Sequence, residues 1–199
     1  MFKGKRKVKL GGLSCYEVNR SSKYGGGIAT CFQHHDRLHT LKSHDENEGH
    51  EMLVTRHNQF SVPINIINVY GQVESKCTST VINEKWTALL EQVKKIESKG
   101  ELLVMIGDLN THVGDTINGN KLKVSCRGML VRQFLESGDY VLLNSTDKVK
   151  NGPFTRIDPS DATNQSALDL CIVSKELVGY VDSILIDNGR LFTPRQRTR

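Results

Sequence analysis

The hydrophobic positions of this chain follow two periods. Ile82, Trp86, Leu89, Val93 and Ile96 are spaced 4, 3, 4 and 3 apart, which predicts a helix with one buried stripe. Ser79 or Thr80 can cap its start, Lys94, Lys95 and Lys99 suit its negative end, and Gly100 can stop it. A second helix is expected over Arg127–Glu136, with Leu130, Val131, Phe134 and Leu135 turned inward and Gly138 closing it. Elsewhere the apolar runs are shorter and read as strands. Leu102–Ile106 is apolar at every position, which predicts a central strand covered on both faces.

Met52–His57 and Pro63–Tyr70 predict a hairpin, and two further strands are expected to flank the turn-forming cluster Ser21–Gly27. Short strands are expected at Tyr140–Leu143, Phe154–Thr155, Leu168–Val173 and Val181–Ile186. Many short strands and two helices, without strict βαβ alternation, predict an α+β fold of sheets packed with helices. Residues 1–12 read as a basic, frayed tail and residues 33–51 as a polar loop. His35 and His39 lie four apart in that loop, but no helical pattern supports them as metal ligands.

Composition narrows the class. The 199 residues are 37% hydrophobic and 25% charged, close to the globular norm and unlike disordered or fibrous chains. No apolar run is long enough for a membrane-spanning helix, and the opening MFKGKRKVKLGG lacks the apolar core of a secretory signal. The five cysteines, Cys15, Cys31, Cys77, Cys126 and Cys171, form no C-x-x-C pair. They are expected as thiols of an intracellular chain, neither a disulfide framework nor a zinc site. On that reading the N-x-[ST] sites at Asn19, Asn144 and Asn164 have no consequence. Net charge is +5, with basic residues crowded into residues 3–9 and at Arg190, Arg195, Arg197 and Arg199. That balance favours a polyanionic partner and leaves a nuclear address open.

The candidate chemistry follows the apolar strand directly. Gly107-Asp108-Leu109-Asn110 presents a carboxylate and a carboxamide at a strand end, one acceptor-only and the other with two donors. Such a pair can orient an attacking water and hydrogen-bond a phosphoryl oxygen. Tyr70 ends the preceding strand, and Asp169 in Ser166-Ala167-Leu168-Asp169 sits inside another, where a carboxylate is costly unless it faces a polar centre. Thr155, Ser166 and Asn144 are candidate substrate contacts around the same cleft. Trp86 and Phe134 are expected in the core.

The stretches YEVNRSSKYGGGIATCF, HEMLVTRH, INIINVYG, ELLVMIGDLNTHVGD, YVLLNST, NGPFTRIDP and SALDLCIVS resemble the endonuclease/exonuclease/phosphatase superfamily. The likeness is greatest to the apurinic/apyrimidinic-type endonuclease domains of LINE-like non-LTR retrotransposons and to craniofacial development protein 2-like proteins. It covers roughly Leu13 to Pro194, and GDLNTHVGD and SALD are its specific parts.

The resemblance implies a four-layer α/β sandwich, two packed β-sheets with helices outside, over residues 13–194, between a basic tail at 1–12 and a basic end at 195–199. It implies that Asp108 activates the attacking water and contributes to a metal site, and that Asn110 stabilises the phosphate in the transition state. Tyr70 would contact the scissile phosphate, and Asp169 would orient a catalytic histidine. The implied activity is Mg²⁺- or Mn²⁺-dependent cleavage of phosphodiesters, with DNA as partner and no membrane. The family's opening strand–helix–strand unit with its metal-binding Glu, and its closing Asp-His strand, have no counterpart in this sequence; Glu17, Glu51 and His112 lie outside those motifs. The chain is therefore expected to be a truncated domain of impaired activity. Two other readings stand beside the nuclease: a non-catalytic nucleic-acid-binding remnant, and a phosphatase or phospholipid phosphodiesterase on the same fold.

Overall fold

The computed structural model describes residues 6–10, 13–19, 27–33, 39–47, 50–114, 124–152, 154–157 and 165–186. The turn cluster at 21–26, His35 and the outermost basic residues lie outside this set. In chain order the elements are β1 (Arg6–Leu10), β2 (Leu13–Asn19), β3 (Gly27–Gln33), β4 (His39–Asn47), β5 (His50–His57), β6 (Ile64–Gly71), α1 (Ser79–Glu97) and β7 (Leu102–Asp108). They continue with α2 (Cys126–Glu136), β8 (Tyr140–Leu142), β9 (Val149–Lys150), β10 (Arg156–Ile157), β11 (Gln165–Ser166), β12 (Asp169–Ser174) and β13 (Ile184–Leu185).

A six-stranded sheet in the order β4-β5-β6-β7-β12-β8 organises the molecule. Its β5–β6 pair is the expected hairpin, antiparallel from His50–Gly71 to His57–Ile64. β6 and β7 run parallel because α1 carries the chain back across the sheet, while β12 returns antiparallel to β7. Both helices cover one face of this sheet. The stripe Ile82, Trp86, Leu89, Val93 and Ile96 is buried on α1, packed with Ile67 and Val69 of β6, Leu103 and Met105 of β7, and Leu170 and Ile172 of β12. Trp86 meets Phe134 of α2 edge-on at 6.1 Å, and Phe134 stacks on Tyr140 at 4.4 Å. Thr78 caps α1 by accepting from the Val81 N–H, one residue before the expected caps, and Ser125 caps α2 in the same way.

The opposite face is covered in two pieces. The β1-β2-β3 sheet packs there: Asn68 of β6 donates from Nδ2 to the Ala29 carbonyl at 2.9 Å, and Phe32 of β3 meets His57 of β5 at 4.4 Å. On the other side of the face, Leu143, Cys171, Val173 and Leu177 form a smaller apolar cluster with Val104 and Ile184. Among the described residues, the six-stranded sheet thus lies between the two helices on one face and the three-stranded sheet on the other, with the two-stranded pairs β10–β11 and β9–β13 besides, an α+β arrangement as anticipated.

Several expectations change. Leu102–Ile106 is covered unevenly: Leu103 and Met105 are buried towards the helices, Leu102 and Val104 are half-buried against the smaller cluster, and Ile106 beside them is 39% exposed. Residues 33–51 are not a loop throughout, since residues 39–47 form β4 at the edge of the main sheet. An edge strand needs only one backbone neighbour and tolerates polar residues, so no apolar alternation announces it. The basic stretch read as a frayed tail contributes β1. Cys15 and Cys31 are not thiols but a disulfide, with Cα atoms 4.0 Å apart. They are register partners across β2 and β3, and register, not sequence spacing, decides which cysteines meet.

Because Leu89 is 3% exposed at the centre of the helix-side core, Leu89→Ala is expected to cost about 2–5 kcal/mol by lost transfer energy plus a cavity. Urea unfolding measures it. A loss below about 0.5 kcal/mol, typical of surface sites, would contradict this packing.

Candidate active site

The strands place the candidate residues through the two-residue alternation of side chains. On β6, Ile67 and Val69 face the helices, so Asn68 and Tyr70 face the other way. On β7, Leu103 and Met105 face the helices, which leaves Ile106 and Asp108 on the same side as Tyr70. On β12, Leu170 and Ile172 face the helices and Asp169 does not. The register then levels them: Asn68 pairs with Ile106, two residues before Tyr70 and Asp108 respectively, and Asp108 pairs directly with Asp169. Three strand ends thus carry a phenol and two carboxylates on one face.

The turn after β7 is built by its own residues. Gly107 has φ +144°, and a Cβ there would stand 2.0 Å from the Val69 carbonyl oxygen, so only glycine allows β6 and β7 to close up at this point. Asn110 takes φ +46°, a left-handed conformation that Asn tolerates better than most side chains. Its backbone N–H donates to Asp108 Oδ1 at 2.9 Å, and its Nδ2 donates to the Gly71 carbonyl at 2.8 Å. The Asn110 amide is therefore tied to the scaffold at Gly71, and its side chain also hydrogen-bonds the Asp108 carboxylate.

The residues expected to touch substrate around Asp169 also bond the backbone near it. Thr155 Oγ1 accepts from the N–H groups of Leu168 and Asp169 at 3.0 and 3.1 Å. Asn144, buried, donates from Nδ2 to the Asp169 carbonyl at 3.1 Å and accepts the Cys171 N–H on Oδ1 at 2.7 Å. Ser166, also buried, accepts the Thr155 N–H on its carbonyl at 3.0 Å. Thr155, Asn144 and Asp169 line a cavity of 280 Å³ whose apolar wall includes Ile106, Cys171, Ile184 and Ile186. Burial pushes the Cys171 thiol up to about 12, so it is no nucleophile at neutral pH. A wider hollow of 440 Å³ on the outer side of α1, lined by Thr80, Asn83 and Glu84 among others, brings no such groups together.

Two residues with no motif to announce them support this turn. Arg127, buried at the start of α2, donates to the carbonyls of Leu109 and Gln72. Glu74, in the 3₁₀ turn Glu74–Lys76, accepts the Cys126 and Arg127 N–H groups at the α2 N-terminus. A buried arginine just inside a helix start is the only sequence signal either offered.

Burial, with the Asp169 charge added to it, pushes the Asp108 carboxyl above the ordinary aspartate range; the Asn110 hydrogen bond and the Arg127 charge pull the other way. Among the described residues no three His, Cys, Asp or Glu side chains converge as a metal cluster. Asp108 and Asp169 are nevertheless hard oxygen donors on one face, and Mg²⁺ is commonly held by one or two carboxylates while it keeps waters and substrate oxygens. The pair fits an ion held in that way.

No family model and no curated protein matches the sequence. Solved structures do match its fold. An endonuclease/exonuclease/phosphatase family protein from Bacteroides thetaiotaomicron aligns over 83% of this chain and 62% of its own, at 12% identity and TM-score 0.52. TDP2 from C. elegans aligns over 81% of this chain and 48% of its own, at 14% identity and TM-score 0.51. The endonuclease domain of TRAS1, a telomere-specific non-LTR retrotransposon, aligns over 85% of this chain and 70% of its own, at 15% identity and TM-score 0.50. The chain thus spans less than two thirds of the length of the first two. No described helix is long and apolar enough to cross a membrane.

A carboxyl whose folded pKa is raised holds its proton more tightly in the folded state, so stability is lost as pH rises through that pKa. Asp108→Asn keeps an oxygen acceptor for the Asn110 N–H and removes the charge. The variant is expected to melt above the parent at neutral pH, and the gain should fade as pH falls through the raised carboxyl pKa and be gone below the ordinary aspartate value of about 3.9. Thermal melts across that window check it, and a lower midpoint at neutral pH would contradict the environment assigned to Asp108.

Proposed function

The chain carries the fold of the endonuclease/exonuclease/phosphatase superfamily, and from that premise we propose that it is a hydrolase of phosphate esters, of the endonuclease type, acting on DNA. The observation that carries the reading is the direct pairing of Asp108 with Asp169 beside Tyr70 and Asn110. The likeness of GDLNTHVGD and SALD to retrotransposon endonucleases, and the structural likeness to the TRAS1 endonuclease domain, are what supports DNA among phosphate esters. The excess of positive charge at both ends of the sequence suits the same partner.

In this mechanism a water attacks phosphorus and the ester P–O bond breaks, with no covalent enzyme intermediate. Asp108 accepts the proton of the attacking water. Its pKa is raised, first by burial and then by the neighbouring Asp169 charge, which strengthens it as a proton acceptor. The Asn110 amide, beside Asp108, turns to donate to a non-bridging oxygen as charge builds there. Tyr70 contacts the same phosphate from the adjacent strand end. Asp108 and Asp169 would hold Mg²⁺ or Mn²⁺, which would supply neutralisation of the phosphate charge.

One observation favours a second reading, binding of nucleic acid without cleavage: no three metal-capable side chains converge among the described residues. The two readings separate in a nicking assay on supercoiled plasmid with Mg²⁺ or EDTA. The nuclease predicts metal-dependent nicking that Asp108→Ala abolishes and Asn110→Ala lowers by about 10²–10³-fold, the usual cost of one transition-state donor. Absence of nicking above the Asp108→Ala background, from folded protein that still binds DNA in a salt-sensitive way, would overturn the nuclease and leave the binding reading.

A further inference from the structure

Arg127 lies at the second position of α2, on the helix side of the sheet, yet its guanidinium reaches under both turns that end the site strands. It donates from Nη1 to the carbonyls of Leu109 and, at 3.4 Å, Asn110, and from Nη2 to the Gln72 carbonyl at 3.1 Å. Gln72 is two residues past Tyr70, and Leu109 and Asn110 are the two residues past Asp108. The side chain is 7% exposed. A buried charge is tolerated only where its donors are used, and here they are used on backbone carbonyls of the candidate site.

Glu74 closes the arrangement from the other side. Its Oε1 accepts from Ser125 Oγ at 2.5 Å, Thr111 Oγ1 at 3.0 Å and the Arg127 N–H at 3.2 Å, and its Oε2 accepts the Cys126 N–H at 3.1 Å. This carboxylate fixes the N-terminus of α2, where negative charge is favoured, and so fixes where the Arg127 side chain begins. Gly71 completes the junction: a Cβ there would stand 2.6 Å from the Leu109 carbonyl oxygen and 2.9 Å from Arg127 Nη1.

We propose that Arg127 is a positioning residue of the site: through the carbonyls of Leu109, Asn110 and Gln72 it sets where the Asn110 amide stands relative to Asp108 and Tyr70. The proposal rests on the phosphoester reading above for its catalytic consequence, but its structural core does not. A planar fork with fixed donor directions suits three carbonyls on two turns, which a single ammonium cannot reproduce. Loss of the fork frees the turn that holds Asn110 in its left-handed conformation, and the amide drifts from the phosphate.

The test compares the full chain with its Arg127→Gln and Arg127→Lys variants, using two readouts. By NMR, the side-chain amide protons of Asn110, one of them held on the Gly71 carbonyl at 2.8 Å in the parent, are expected to exchange at least about tenfold faster in Arg127→Gln, as a lost hydrogen bond implies. In plasmid nicking, kcat is expected to fall by about 10–100-fold with KM within about twofold, the signature of misplaced groups and not of lost substrate binding. Arg127→Lys should fall between parent and Gln variant in both. Unchanged Asn110 exchange and unchanged kcat in a folded Arg127→Gln protein would overturn the proposal. If that variant does not fold, parent-like values for both in Arg127→Lys would overturn it. A parent chain that nicks nothing would overturn the nuclease reading alone, because Asn110 exchange still decides the positioning role.

Discussion

At the carboxyl ends of β6 and β7 two backbones come so close that a side-chain carbon on Gly107 would stand 2.0 Å from the Val69 carbonyl oxygen. That approach lets β7 finish with Asp108 on the side of the sheet away from the helices, and it sends the chain into the turn that Asn110 occupies at φ +46°. Asn110 then ties back to Gly71, the last residue of β6. β12 enters from the other side and pairs Asp169 with Asp108. The candidate chemistry is therefore a consequence of strand register, with each group delivered by a separate strand that the core holds in place.

The two faces of the central sheet divide the work. The helix face buries Ile67, Val69, Leu103, Met105, Leu170 and Ile172 beneath α1 and α2 and supplies the hydrophobic stabilisation. The other face is covered in part by β1–β3 and in part by the cluster around Leu143 and Leu177, and Asp169, Asn144 and Ile106 border an opening on that side. Two like charges side by side, one of them half-buried, cost stability. The helix-side core bears that cost, as is usual where a site departs from what folding alone would select.

Much of this was legible in the residues. The α1 stripe, the β5–β6 hairpin and the glycine-acid-amide turn after an apolar strand all follow from local period and turn chemistry, and each lies where the sequence puts it. What escaped were relations between distant segments. β4 is polar and lies at the sheet edge, so it has no apolar alternation to read. The Cys15–Cys31 bridge depends on hairpin register, which a count of five cysteines does not contain. Ile106 is exposed because burial of a strand depends on what covers each face. Glu74 and Arg127 are 53 residues apart at the contact they make, and neither belongs to a recognisable motif. Thr155 and Asn144 border a cavity with Asp169 and also bond the backbone leading into and along β12, a role that no local pattern announces.

The convergence of Asp108 and Asp169 is what the rest depends on, and a double-mutant cycle tests it without reference to any activity. Asp108→Asn, Asp169→Asn and the double variant would be unfolded in urea at neutral pH. Facing carboxylates predict that each single change relieves the same repulsion, so that the double variant gains less than the sum by about 0.5 kcal/mol or more. Additivity within about 0.3 kcal/mol, the behaviour of distant sites, would show that the two acids do not meet and would contradict the site.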